Sequence, residues 1–172
     1  MLPSTSRWIV VTPRGVPFLV VALLAVPLLV VGVGCKPKVV GRAMAGDFIA
    51  LKVKDRTIQA EVACDDLSRL TGCMGRDRLG ENQGMIFVYP RPDFLSFWMR
   101  NTSIPLSIAF LDDGGKILQI EDMQPHDETR TVSTTRVRYA LEVNQGWFQR
   151  NNVGVGDAFL DFATTVAPYH RG

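Results

Sequence analysis

From Phe48 onward the apolar residues come in short runs of strand length: FIALKV (48–53), TIQAEV (57–62), GMIFVY (84–89), FLSFWM (94–99), PLSIAFLD (105–112), KILQIED (116–122), VRYALEVN (137–144) and VGDAFLDF (155–162). Most are bounded by residues that turn or break a strand: KDR at 54–56, Pro90 and Pro92, Asn101-Thr102, and DDGG at 112–115, whose Asp and Gly tolerate the positive φ of a tight hairpin. In 105–112, Leu106, Ile108 and Phe110 share one face with Ile104, and Ser107 and Ala109 lie opposite. In 137–144, Tyr139, Leu141 and Val143 point inward, and Arg138, Ala140, Glu142 and Asn144 fall on the other face. DDLSRLTGCM opens a short helix at Asp65-Asp66, with acids where they cap free amides and offset the dipole, and Gly75 is its stop. GWFQRNN suits a single helical turn. The expectation is a mainly β fold, a compact antiparallel β-sandwich or barrel with one or two short helices.

The first 34 residues are of another kind: Arg7 and Arg14 precede an uncharged run from Val16 to Gly34, and Cys35 follows directly. Such a segment is an export signal or a membrane anchor, close to the roughly 20 apolar residues that span a bilayer. A thiol at this place is where a bacterial lipoprotein signal is acylated, although Gly32 stands where that signal usually has Leu. Three outcomes stay open: lipidation at Cys35, an uncleaved anchor, and cleaved secretion. All three put the protein outside the cytoplasm. KPKVVGRAMAG reads as a tether. The expected organisation is a signal or anchor at 1–34, a tether at 35–46, one β-rich domain at 47–165 and a tail at 166–172.

Removing residues 1–34, which hold two basic and no acidic residues, leaves 17 basic against 17 acidic of the original 19 and 17. A near-neutral domain lacks the basic excess that phosphate neutralisation requires, so no nucleic-acid partner is expected. Cys64 and Cys73 are a disulfide candidate in an oxidising compartment. On a regular helix nine residues rise about 13.5 Å, whereas bridged Cα atoms lie within about 7 Å. The bridge therefore requires an irregular 65–72, and two separate thiols are the alternative.

Three blocks in order, RLTGCMGRDRLGENQGMIFVY, SFWMRNTSIPLSIAFLDDGGKI and YALEVNQGWFQRNNVGVGD, resemble the domain of unknown function 192 family, also called uncharacterised ACR, over about residues 57–162. The resemblance implies a small, often exported, compact β-rich domain of the sandwich type, and it brings no agreed catalytic residues. Matching positions include Arg76, Gly84-Met85, Phe97-Trp98-Met99, Asn101-Thr102, Pro105-Leu106, Glu142 and Gly146. Cys73 stands where the family commonly has Leu, and Ser107 where it has Asp, so a role for an acid at that second position is lost.

Arg76, Trp98, Asn101, Thr102 and Glu142 are the ligand-binding candidates. Arg76 can clamp a carboxylate or phosphate, Asn101 offers donor and acceptor together, and Glu142 can receive a hydroxyl or amine. Against a shared cleft stands a structural brace, with Glu142 neutralising Arg76 and Asn101 satisfying backbone at a corner. Trp98 and Trp147 can stack a sugar or a peptide, or simply pack. Met74, Met85 and Met99 are better core fillers than soft-metal ligands. His126-Asp127-Glu128, in the polar stretch 124–135, is the only His-acid cluster, and its adjacent side chains diverge as in a solvated loop. That stretch is still the main candidate for a functional loop. No nucleophile elbow, P-loop, Rossmann fingerprint or zinc pair is present, so no metal or cofactor is expected. The expected function is a membrane-tethered, non-catalytic binding module for a small polar ligand, a glycan or an envelope protein partner. The alternatives are an envelope hydrolase acting on polysaccharide or peptide, and a structural or assembly factor.

Overall fold

A computed structural model describes residues 44–170; the apolar segment 1–34, Cys35 and the tether up to residue 43 lie outside the described residues. Strands β1 (Phe48–Val53) and β2 (Arg56–Ala63) form the first hairpin, in register from Phe48 opposite Glu61 to Val53 opposite Arg56. Helix α1 (Asp66–Thr71) follows, held at its start by a reciprocal cap: Asp65 accepts from the Ser68 amide at 2.7 Å, and the Ser68 hydroxyl accepts from the Asp65 amide at 3.1 Å. Then come β3 (Gln83–Asp93), β4 (Ser96–Phe97), β5 (Leu106–Leu111), β6 (Ile117–Met123), β7 (Thr131–Val132) and β8 (Val137–Asn144). Short helices α2 (Trp147–Arg150) and α3 (Phe162–Val166) and a final 3-10 turn at Ala167–Tyr169 complete the described chain.

Six strands make one sheet in the order β1-β2-β3-β8-β5-β6, while β4 and β7 pair separately. The mainly β expectation holds, with one difference: β2 and β3 run parallel, and the other neighbours in the sheet are antiparallel. A parallel pair needs a crossover rather than a hairpin, and α1 with the turns up to Asn82 provides it. The late strand β8 sits between β3 and β5, pairing Met85 with Glu142 on one side and Ile108 with Glu142 on the other.

Both faces of this sheet are buried. Ile58, Ile86, Leu141, Trp147 and Phe162 belong to one apolar cluster, and Phe87, Phe97, Leu106, Ile108 and Phe110 to a second. Every residue of β5 is buried as a result. At about 1.5–3 kcal/mol for each large side chain fully withdrawn from water, two such clusters are the main source of stability.

The run 155–162, expected as a strand, is not one. Asp157–Leu160 instead forms single bridges to both outer edges, Ala158 to Lys116 and Leu160 to Lys52. Phe159 donates to the Gly115 carbonyl at 3.0 Å on one side, and Leu160 to the Lys52 carbonyl at 2.7 Å on the other. The two edges are thus brought to either side of one extended segment, and the sheet curls around the first cluster. Phe162 then turns into α3 beneath Gly115, whose φ of 82° and lack of a side chain leave room for the ring. The segment expected as a tail from 166 continues this packing: Val166 and Tyr169 are buried in the first cluster.

Candidate functional site

Alternation along β8 sends Tyr139, Leu141 and Val143 into the first cluster and turns Ala140 and Glu142 to the opposite face. Because that face is also a core, Glu142 is only 4 % exposed. It belongs to a row across the sheet, Glu61 on β2, Met85 on β3, Glu142 on β8 and Ile108 on β5. With strands about 4.8 Å apart, the two glutamates stand roughly 10 Å apart at the backbone.

Three groups decide the state of Glu142. Burial disfavours its charge, while a hydrogen bond with Cys73 and the positive charge of Arg76 favour it. Burial wins, and the carboxyl is pushed up to about 7. Burial and the charge of Glu142 push the Cys73 thiol far above its usual range, which makes it a neutral donor rather than a nucleophile. One oxygen of Glu142, Oε2, is buried with no hydrogen-bond partner among the described residues. An unsatisfied buried polar atom is rare enough to call for an explanation.

Glu142 lines a cavity of about 310 Å³ between α1, β3 and the β4 strand. From α1, Arg69 reaches in but is committed elsewhere, donating to the Val88 carbonyl at 2.9 Å and to Asp66 at 2.7 Å while lying over the Tyr89 ring. Just after β4, Trp98 forms part of the wall, and the Arg130 guanidinium covers its ring at 3.9 Å from the centroid. Arg130 forms no ion pair among the described residues. Thr102 is buried beside them, its hydroxyl donating to the Arg100 carbonyl at 3.3 Å.

Of the residues singled out from sequence, Trp98, Thr102 and Glu142 meet at this cavity. Arg76 does not: it lies in a second depression on the other side of α1, paired with Glu61 at 2.7 Å. Asn101 is an exposed turn residue with φ 54°, and its carbonyl accepts from the Gly75 amide at 2.9 Å. The polar corner is therefore a backbone device, tightened by loop 124–135, since the His126 amide donates to the Thr102 carbonyl and the Met99 amide to the Asp127 carbonyl. His126, Asp127 and Glu128 are all exposed. That loop serves the cavity through Arg130.

Cys64 and Cys73 are both buried and are not bridged to one another. The physical reason is that they belong to clusters on opposite faces of the sheet. Ser107 is a buried brace between two strands: its hydroxyl donates to the Asp122 carboxylate and accepts from the Gly146 amide at 2.8 Å. Sequence reasoning missed Arg69, Tyr89 and Arg130, and it weighed Cys73 as a bridge candidate or a separate thiol without linking it to Glu142. For Arg130 the available signal was its place in the long polar loop.

Among the described residues no helix is long and apolar enough to cross a membrane, and no cluster of three His, Cys, Asp or Glu is placed to hold a metal ion. The family model for uncharacterised ACR, a domain of unknown function, matches residues 49–160. A crystal structure of a protein of unknown function from Novosphingobium aromaticivorans is 32 % identical, with a TM-score of 0.63 over 65 % of this chain and 84 % of that one. A Sinorhizobium meliloti protein, described as a candidate transcription regulator, is also 32 % identical, with a TM-score of 0.61 over 64 % of this chain and 88 % of that one. No curated protein matches.

Proposed function

Since the chain belongs to the domain of unknown function 192 family, uncharacterised ACR, membership brings no reaction with it, and we propose that the domain is a non-catalytic binding module for a small polar ligand. The observation that carries this reading is Glu142: a carboxylate with an orphaned oxygen, lining a cavity of about 310 Å³. A protein gains nothing in stability by burying such a group, and a bound donor is what offsets its cost. The cavity is concave and partly apolar, the form of a small-molecule site rather than of a flat partner surface, which favours a ligand over an assembly role.

A hydrolase of glycosides needs two carboxylates flanking one bond. Asp66 also lines the cavity, but it is tied to Arg69 at 2.7 Å and its side chain is fully exposed, so the pair lacks a second carboxyl set for chemistry. The Sinorhizobium protein is described as a candidate transcription regulator; direct nucleic-acid binding by this chain is not supported by the balance of 17 basic against 17 acidic residues after residue 34. The setting we propose is extracytoplasmic, with the domain tethered through lipid on Cys35 or through the uncharged run Val16–Gly34.

A thermal-shift screen of the full chain in mild detergent tests the binding reading, using sugars, amino acids, short peptides and divalent metals. A ligand at a hundred times its Kd adds about 2.7 kcal/mol, and the shift should vanish in Glu142→Gln. A screen in which no compound raises the melting temperature, or in which every shift survives in Glu142→Gln, refutes it.

A further inference from the structure

The cavity carries two groups of opposite sign with bonding capacity left over. Deep inside, Glu142 has an oxygen without a hydrogen-bond partner. At the rim, the exposed Arg130 guanidinium rests on Trp98 at 3.9 Å and forms no ion pair among the described residues. The other guanidinium of the wall, Arg69, already has an acid and a carbonyl as partners. We infer that the ligand of this cavity is a zwitterion of amino-acid type, with its ammonium group on Glu142 and its carboxylate on Arg130. The inference rests on the binding reading above and names the class of ligand.

The stacked guanidinium decides against a neutral sugar. A sugar needs an open aromatic face, and Arg130 occupies the Trp98 face at van der Waals distance. What the stack presents instead is the edge of a planar donor fork, held in place by the ring and suited to a carboxylate. At the other end an ammonium supplies what a hydroxyl supplies only weakly, a charge-assisted hydrogen bond to a desolvated carboxylate. Either oxygen of Glu142 can meet it, because rotation about the last torsion of a glutamate exchanges the two. Between the two charged ends the wall mixes the hydroxyl residues Tyr89, Ser96 and Thr102 with the apolar Leu70, Phe87 and Phe97. A cavity of about 310 Å³ has room for an amino acid or a dipeptide, and the two sources share the same pair of charged ends.

Binding of an ammonium requires the ionised carboxylate. Glu142 is pushed up to about 7, so the complex forms with loss of a proton below that pH. Affinity should then fall about tenfold for each pH unit below 7.

The test is isothermal titration of the full chain in mild detergent at pH 8. The probes are the series from glycine through 6-aminohexanoate, L-alanine and L-alanyl-L-alanine, with N-acetyl and amide forms of each and cellobiose as the neutral control. We expect saturable binding of at least one zwitterion and weakening of about tenfold or more on capping either end. Glu142→Gln should abolish the preference for a free amine, and Arg130→Gln the preference for a free carboxylate. Arg130 is exposed, so the second variant reports even if the first fails to fold. Preference for the α-amino acid or for the dipeptide identifies the source. Zwitterions that bind no better than their capped forms, or affinity that is the same at pH 5.5 and pH 8, overturn the inference. Glu142-dependent binding of cellobiose alone overturns it while leaving the binding module standing, and silence from every probe here and in the wider screen removes both.

Discussion

Replacing Glu142 by glutamine should make the protein more stable at alkaline pH, although it removes a native charge. The ordinary carboxyl value is 4.5, and burial among Met85, Ile108 and the wall of the cavity lifts it to about 7 in the fold. The folded protein therefore holds this proton more tightly than the unfolded chain does. Below 4.5 both states are protonated and nothing is lost. As pH rises from 4.5 through 7 the unfolded chain ionises first, so stability falls, and above 7 the loss is complete. At about 1.4 kcal/mol per tenfold change in proton affinity, the loss amounts to roughly 3 kcal/mol. Glutamine keeps the shape and never ionises. The difference in unfolding free energy, Glu142→Gln minus wild type, should grow by about 3 kcal/mol between pH 4 and pH 8. Urea unfolding of the two proteins at pH 4, 6 and 8, followed by tryptophan fluorescence, measures it, and taking the difference cancels the titration of the other acids. A difference that stays constant across that range would refute the argument, because it would mean that water or a cation reaches the carboxylate and that its burial costs nothing.

Two further perturbations probe the scaffold around the site. At Gly84 an added methyl group would lie 2.5 Å from the Glu142 carbonyl oxygen and 3.0 Å from Val143, so Gly84→Ala should cost about 1–3 kcal/mol by forcing β3 from β8; an unchanged urea midpoint would contradict the register. Ser133 is buried, accepts from the Leu95 amide at 2.9 Å and donates to the Thr135 carbonyl at 2.8 Å. Ser133→Ala should therefore cost about 1–3 kcal/mol, read from the same midpoint, and a neutral result would show that solvent replaces both bonds.

The fold class and most strand bounds were legible because short apolar runs between turn residues leave few alternatives: β1, β2, β5, β6 and β8 start and end close to where the pattern puts them, whereas β3 runs on through Pro90 and Pro92 to Asp93 and the run 94–99 keeps only Ser96–Phe97 as strand. What the pattern lacked was long-range. That β2 and β3 run parallel depends on where α1 carries the chain, and no local signal encodes it. The run 155–162 misled because Phe159 and Phe162 are buried like strand residues, yet Gly154 and Gly156 set a turn and α3 begins at Phe162. At the site, Glu142 was visible as a charge in an apolar strand, but its face was taken for the one away from the core because nothing local shows that a sheet is covered on both sides. Arg76 drew notice beside Glu142, whose carboxyl does feel its charge, but its direct ion-pair partner is Glu61, in a strand whose neighbour could not be assigned. Asn101 was conspicuous for its side chain, whereas its conformation is what the corner uses.

The central position of β8 has a consequence for how the chain is made. The β1-β2-β3 half and the β5-β6 hairpin touch no common strand until residues 137–144 arrive between them. During synthesis, at about 5–20 residues per second, β3 and β5 each wait with one hydrogen-bonding flank open while most of the domain is already outside the ribosome. Assembly is therefore a late, single closure rather than a gradual build-up. The site comes into being at that same moment, because the strand that joins the halves is the one that carries Glu142.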